Sequence, residues 1–196
     1  MLQTSVQSSV TPRFSGHPFD ASRPQVTLSL NQRRSTLNLF IPSSLHDGKG
    51  IWIASGVAAR AGVRDGAVFS VIQAMIAWIE DHLDQPLSVD AIASRSGYSV
   101  WHFQRKFAQF TGLNVYEYVR IRRIIAATFA LTTTDKGILE IAVENGFNCQ
   151  ASFTRTVRLL TGYTPGKIRR QFSHHPQQWI EMIKTVIAPQ PLDIAC

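Results

Sequence analysis

Two short stretches of the chain concentrate amides, guanidinium groups and hydroxyls and hold no carboxylate. Residues 100–112 carry Trp101, Gln104 and Arg105, and residues 149–162 carry Gln150, Ser152, Thr154 and Arg155. Gln and Arg can make paired hydrogen bonds to the edges of adenine and guanine, while Ser and Thr are adaptable donors. A face that is merely solvated would mix Glu with Lys. The chemistry these residues suit is recognition of a polyanion's bases. An enzyme reading has little to rest on: Cys149 is the one candidate nucleophile in a turn, and no neighbouring His or acid accompanies it. No glycine-rich phosphate loop or HExxH motif occurs either, and a half-buried structural cysteine is expected.

The elements that must position these residues form an internal repeat. Residues 87–112 (LSVDAIASRSGYSVWHFQRKFAQFTG) run parallel to residues 136–162 (KGILEIAVENGFNCQASFTRTVRLLTG). Ile92–Ala93 and Gly97–Tyr98 match Ile141–Ala142 and Gly146–Phe147 at an offset of 49, and Phe103, Arg105 and Gly112 match Phe153, Arg155 and Gly162 at an offset of 50. One supersecondary unit used twice is the plain meaning. Each copy reads as helix, turn, helix. Gly97 and Gly146 reverse the chain in a left-handed conformation, and the second helix buries Phe103 and Phe107, or Phe153 and Val157, one turn apart. Such corners carry DNA-reading helices, though they also build inert bundles.

Between the copies, Asn114 and Glu117 predict a capping box opening a helix to about residue 131, roughly 25 Å long. Its arginines, Arg120, Arg122 and Arg123, do not share one face, so acids of the two units and nucleic-acid phosphates are both candidate partners. Ser70-x-x-Gln73 predicts a capping box before Ile72, Met75, Ile76 and Ile79, and Ser88 predicts the cap of a further helix. Residues 1–69 lack sustained periodicity, with Gly48, Gly50, Gly56, Gly62 and Gly66 interrupting them. Two apolar runs, residues 37–41 and 51–57, fit either a strand or a helical turn. Residues 174–196 read as a tail with at most one amphipathic helix, carrying Trp179, Ile180, Ile183 and Ile187. The His174–His175 pair has no third ligand nearby, so no metal is expected.

The expected fold is therefore all-α: two helix-turn-helix subdomains (87–112 and 136–162) joined by a linker helix (114–131), within a DNA-binding unit over 70–173. An irregular extension (1–69) precedes it. The 196 residues carry 20 Lys and Arg against 13 Asp and Glu, a net charge of +7 that suits a polyanionic partner. The two cysteines form no CxxC pattern, which suits a reducing cytosol. No signal peptide or membrane-spanning run is expected.

The stretches WIEDHLDQPLSVDAIASRSGYSVWHFQRKFAQFTG, YVRIRRI and ILEIAVENGFNCQASFTRTVRLLTGYTPGKIRR resemble the DNA-binding domain of the AraC/XylS family, in its small MarA/SoxS/Rob-like group. The resemblance covers residues 69–172. It implies a seven-helix, two-lobed domain that binds an asymmetric duplex site as a monomer, without cofactor. It implies DNA-contacting roles for Trp101, Gln104, Arg105, Gln150, Ser152, Thr154 and Arg155. It also implies a bacterial, cytoplasmic, nucleoid-associated transcription regulator, more often an activator, with RNA polymerase as a protein partner. Three positions depart from the family pattern. Val100 stands where a basic residue is common, Ala151 where Gln is frequent, and Ala108–Gln109 where lysines occur. These departures keep open a second reading, a helical adaptor that binds a protein and no longer reads DNA.

Overall fold

Alternating apolar and polar side chains build the first elements of the computed structural model, which describes residues 22–31, 34–42, 50–57 and 66–187. Strands β1 (Gln25–Asn31), β2 (Arg34–Pro42) and β3 (Gly50–Val57) form one antiparallel sheet in the order β1-β2-β3. Leu28 faces Leu37 across β1 and β2, and Leu39 faces Ile53 across β2 and β3. Val26 and Leu28 on β1, with Ser35, Leu37, Leu39 and Ile41 on β2, are buried. Apart from the end of β2, where Phe40 is buried as well, that is the two-residue period of a sheet with one face covered. The sheet stands where the sequence suggested irregular chain. Each strand is short and its pairing is non-local, so the apolar runs could not be assigned until neighbouring strands and a helical surface were in place.

Eight helices follow among the described residues: α1 (Gly66–Glu80), α2 (Val89–Ser96), α3 (Val100–Thr111), α4 (Val115–Thr133), α5 (Ile138–Glu144), α6 (Gln150–Thr161), α7 (Pro165–Phe172) and α8 (Pro176–Ile187). α1 starts one turn before the expected capping box. Ser70 lies inside the helix, where its hydroxyl donates to the Gly66 carbonyl at 3.1 Å. A serine inside a helix can bond back to the carbonyl four residues earlier instead of capping, so the motif alone misplaced the boundary. The other caps stand as expected. Ser88 accepts from the Ala91 N–H, and Asn114 and Glu117 exchange two hydrogen bonds at the start of α4.

Ile72, Ile76 and Ile79 of α1, Ile92 and Ala93 of α2 and Phe103, Phe107 and Phe110 of α3 fill the first lobe. The sheet packs on α1 and α3. Three polar ties hold it there: Ser35 donates to the Phe110 carbonyl at 2.7 Å, Gln73 donates to the Leu28 carbonyl at 3.1 Å, and Arg122 donates to the Pro24 carbonyl at 3.0 Å. The second lobe buries Ile141, Ala142, Phe153, Val157 and Ile168. It is closed by α8, which is more than a tail: Trp179, Ile180, Met182, Ile183 and Val186 are buried against α4, α6 and α7. The amphipathic pattern announced this helix, and the residues it packs on give it a reason to persist. Helix α4 contacts elements of both lobes and buries ten of its residues, more than any other helix here.

Candidate nucleic-acid interface

Both second helices start from an extended residue that caps them. Ser99 accepts from the His102 N–H at the head of α3, and Cys149 accepts from the Ser152 N–H at the head of α6. Both end at a left-handed glycine, Gly112 with φ 76° and Gly162 with φ 76°. The two helices are the same length, and each buries one row of residues (Phe103, Phe107 and Phe110 on α3, Phe153, Val157 and Thr161 on α6) while one face stays open.

On α3 that open face carries Trp101, which is 70% exposed and so is not a core residue. The guanidinium carbon of Arg105 sits 4.8 Å from the centre of the Trp101 ring. An arginine stacked on an indole loses part of its rotamer freedom before any ligand arrives. Arg105 is exposed and Gln104 is half-buried beside them. On α6, Gln150, Ala151, Ser152, Arg155 and Arg158 are exposed and Thr154 is half-buried. Gln150, Ala151, Thr154 and Arg155 line one open groove of about 920 Å³ together with Arg158, Leu159 and Thr164. Ser152 stands apart. Its hydroxyl donates to the Cys149 carbonyl at 3.0 Å, and it does not line the groove.

Sequence reasoning missed two residues of this groove. Leu159 is 71% exposed, whereas the adjacent Leu160 packs against the core; a Leu-Leu pair on a helix does not announce which member faces out. Thr164 is the N-cap of α7, and its side chain makes no capping bond there. The signal was available, since Thr followed by Pro marks a helix start whose N–H groups face outward. Cys149 is exposed, not half-buried. Hydrogen bonds from Ser152 lower its thiol below the ordinary range, with Arg155 adding a smaller effect.

The three arginines of α4 have separate fates. Arg122 is buried and pairs with Glu80 at 2.6 Å, and the Tyr118 hydroxyl donates to the same carboxylate at 2.7 Å. Burial is the largest single influence and pulls the Arg122 guanidinium down, but the charge and hydrogen bond of Glu80, with Tyr118 adding to them, together outweigh it and the net shift is upward. Burial, with Glu80 next, pushes the Tyr118 hydroxyl well up. Arg123 donates to three backbone carbonyls, those of Leu83, Gly146 and Gln85. Arg120 lies over the Tyr116 ring at 5.6 Å. Two of the three are thus committed inside the protein.

Among the described residues, no cluster of His, Cys, Asp or Glu is arranged to hold a metal ion, and no helix is long and apolar enough to cross a membrane. Residues 87–171 match the family described as a helix-turn-helix domain. Regulatory protein SoxS of Escherichia coli strain K12 is 41% identical over 101 residues, which span 52% of this chain and 94% of that protein. The right origin-binding protein of the same strain is 42% identical over 100 residues, 51% of this chain but only 35% of that longer protein. A solved transcriptional regulator from Chromobacterium violaceum, described as AraC-type and DNA-binding, superposes with a TM-score of 0.51 at 28% identity, covering 56% of this chain and 97% of that one. The DNA-binding domain of AdpA, solved in complex with a target DNA, gives a TM-score of 0.51 at 26% identity over 54% of this chain and 96% of that one.

Proposed function

The chain belongs to the AraC-type helix-turn-helix family of transcription regulators, and on that premise we propose that it binds double-stranded DNA with α3 and α6 in adjacent major grooves. The observation that carries this reading is the pair of equivalent helices with acid-free open faces, one of them bearing a guanidinium already stacked on an exposed indole. Readers of one face of B-DNA enter consecutive major grooves ~34 Å apart, which two lobes on one linker helix can do without a second copy of the chain. The inequality of the lobes supports an asymmetric site, and one copy of the chain is enough to span it.

Base edges are read by Trp101, Gln104 and Arg105 from α3 and by Gln150, Thr154 and Arg155 from α6. Trp101 offers apolar area to a thymine methyl, and the arginines suit guanine. Ser152 holds the first turn of α6 as well as offering its hydroxyl. Arg158 and the open N-terminus of α7 at Thr164 border the same groove and suit phosphates, which set register without reading sequence. The protein acts on the chromosome of a bacterial cytoplasm as a regulator, most simply as an activator that touches RNA polymerase. It is a binding protein and not an enzyme: Cys149 has a capping duty, and its neighbours are Ser152 and Arg155.

One observation favours a protein contact in addition. Leu139 and Val143 on α5 are 53% and 57% exposed, whereas the equivalent positions of the first lobe hold Asp90 and Ser94. If protein contact were the whole role, DNA would not be selected. Selection of bound duplexes from a random pool decides between the two. The DNA reading expects enrichment of one asymmetric sequence, and affinity that falls steeply with salt as counterions are released. Recovery of unenriched sequence at every salt concentration would leave the adaptor reading.

A further inference from the structure

We infer that Arg123 sets the spacing between the two DNA-reading helices, and so the length of the DNA site the protein accepts. The inference rests on the two-groove reading above and deepens it. Arg123 stands near the middle of α4, the helix packed by both lobes. Its Nε donates to the Leu83 carbonyl at 2.8 Å and its Nη2 to the Gln85 carbonyl at 2.5 Å. Both carbonyls belong to the connection between α1 and α2, in the first lobe. Its Nη1 donates to the Gly146 carbonyl at 3.1 Å, in the α5–α6 corner of the second lobe. One planar group with fixed donor directions thus joins the two lobes through main-chain atoms, which cannot swing aside as side chains do.

The corner glycine is shaped to this contact. Gly146 has φ 72°, and a Cβ there would lie 2.6 Å from the Arg123 guanidinium carbon and 2.7 Å from the Leu83 carbonyl oxygen. The first lobe supplies the control. Gly97 has φ 75° but open space around the same position. Both glycines are needed for the reversal, and only Gly146 is also needed for the approach of the other lobe. The three carbonyls that Arg123 bonds lie outside the groove lining, so it acts through the lobes as a positioning residue.

Spacing is measurable. Inserting or deleting one base pair between the two half-sites shifts one reading helix's target by ~3.4 Å and turns it by about 35° about the duplex axis. The experiment takes the duplex selected by the full chain and varies the central spacer by one base pair either way. It compares wild type with Arg123→Gln and Arg123→Lys, each checked for a cooperative thermal transition. Wild type is expected to lose about tenfold or more at either altered spacer, the cost of misplacing a contacted base pair. Arg123→Gln is expected to flatten this profile to about threefold or less while keeping the base preference within each half-site, and Arg123→Lys, whose donors sit on one rotating ammonium and lack the planar fork, to fall between. A role in stability alone would lower affinity equally at all three spacers. An Arg123→Gln profile as steep as wild type overturns the inference, and so does a steep Arg123→Lys profile if the Gln variant does not fold. A wild-type profile that is flat from the start overturns the two-groove reading itself.

Discussion

The two lobes share a plan and differ in what surrounds the plan. The first lobe is braced by a three-stranded sheet and by a buried ion pair, Arg122 with Glu80. The second is braced by α8, and its ion pairs, Lys136 with Glu144 and Lys184 with Glu181, lie at the surface. On the reading helices the contrast continues. Arg105 stacks on Trp101, whereas the residue one turn before Arg155 is Ala151, which offers no ring. The first lobe presents a preorganised contact; the second presents an open groove of small and flexible groups. The two units share one scaffold, and on the proposed reading the stacked Arg105 makes the first the rigid anchor and the second the adaptable reader.

The difference in bracing can be broken most forcefully at the ion pair. Glu80→Ala leaves Arg122 buried without its partner and takes the hydroxyl acceptor from Tyr118, so unfolding free energy should fall by about 3–5 kcal/mol. Lys136→Ala removes a surface pair of the second lobe and should leave the midpoint unchanged, because both ends are solvated. Equal losses from the two variants would erase the claimed asymmetry.

The corners come next. Gly146→Ala should destabilise by about 3–4 kcal/mol, combining left-handed strain with overpacking against Leu83 and Arg123. Gly97→Ala meets open space and should cost only the strain, about 1–2 kcal/mol. Denaturant titration of both variants reads the difference directly.

Within the interface, Arg105→Ala should weaken binding to the selected duplex by about 1–3 kcal/mol and relax preference at one base pair. Arg155→Ala should cost less, about 1 kcal/mol, because its guanidinium is not held by a ring before binding. Trp101→Ala should bring Arg105 toward the behaviour of Arg155. A titration showing Arg155 as the more costly loss reverses the assignment of anchor and reader.

The smallest effect is at the caps. Cys149→Ser gives α6 the oxygen that α3 has at Ser99, a better acceptor than sulfur, and should raise the thermal midpoint slightly. The lowered thiol has a pH consequence. Its ionised form is favoured in the folded protein, so that stabilisation is present at high pH and is lost as pH falls through the folded value. Alkylation of Cys149 by iodoacetamide should accelerate at a lower pH than for an ordinary thiol, and the attached group, at the head of α6, should weaken DNA binding. Alkylated protein that binds as before would place the head of α6 away from the duplex.

Much of the helical half was legible in advance because its signals are local. A cap at Ser88 or Asn114, a glycine at a corner and an apolar residue every turn are written within a few positions of one another. The repeat then allowed each copy to check the other. Ser70 shows the limit of such signals, since its hydroxyl has a helical use as well as a capping use. Leu159 shows another: its exposure depends on how α6 is rotated against α7 and α8, which no short window of residues encodes.

Residue order by itself determined the two corners, the acid-free faces and which side chains those faces carry, because helix periodicity and glycine stereochemistry act over one or two turns. The tertiary structure alone decided three things: that residues 25–31, 34–42 and 50–57 pair as a sheet on α1 and α3, that Arg122 and Arg123 are consumed inside the protein while Arg105 rests on an indole, and that Gly146 abuts the other lobe. Each depends on groups distant in sequence arriving at one place. Their partners are main-chain carbonyls, paired strands and ring faces, which become available only when the chain has folded.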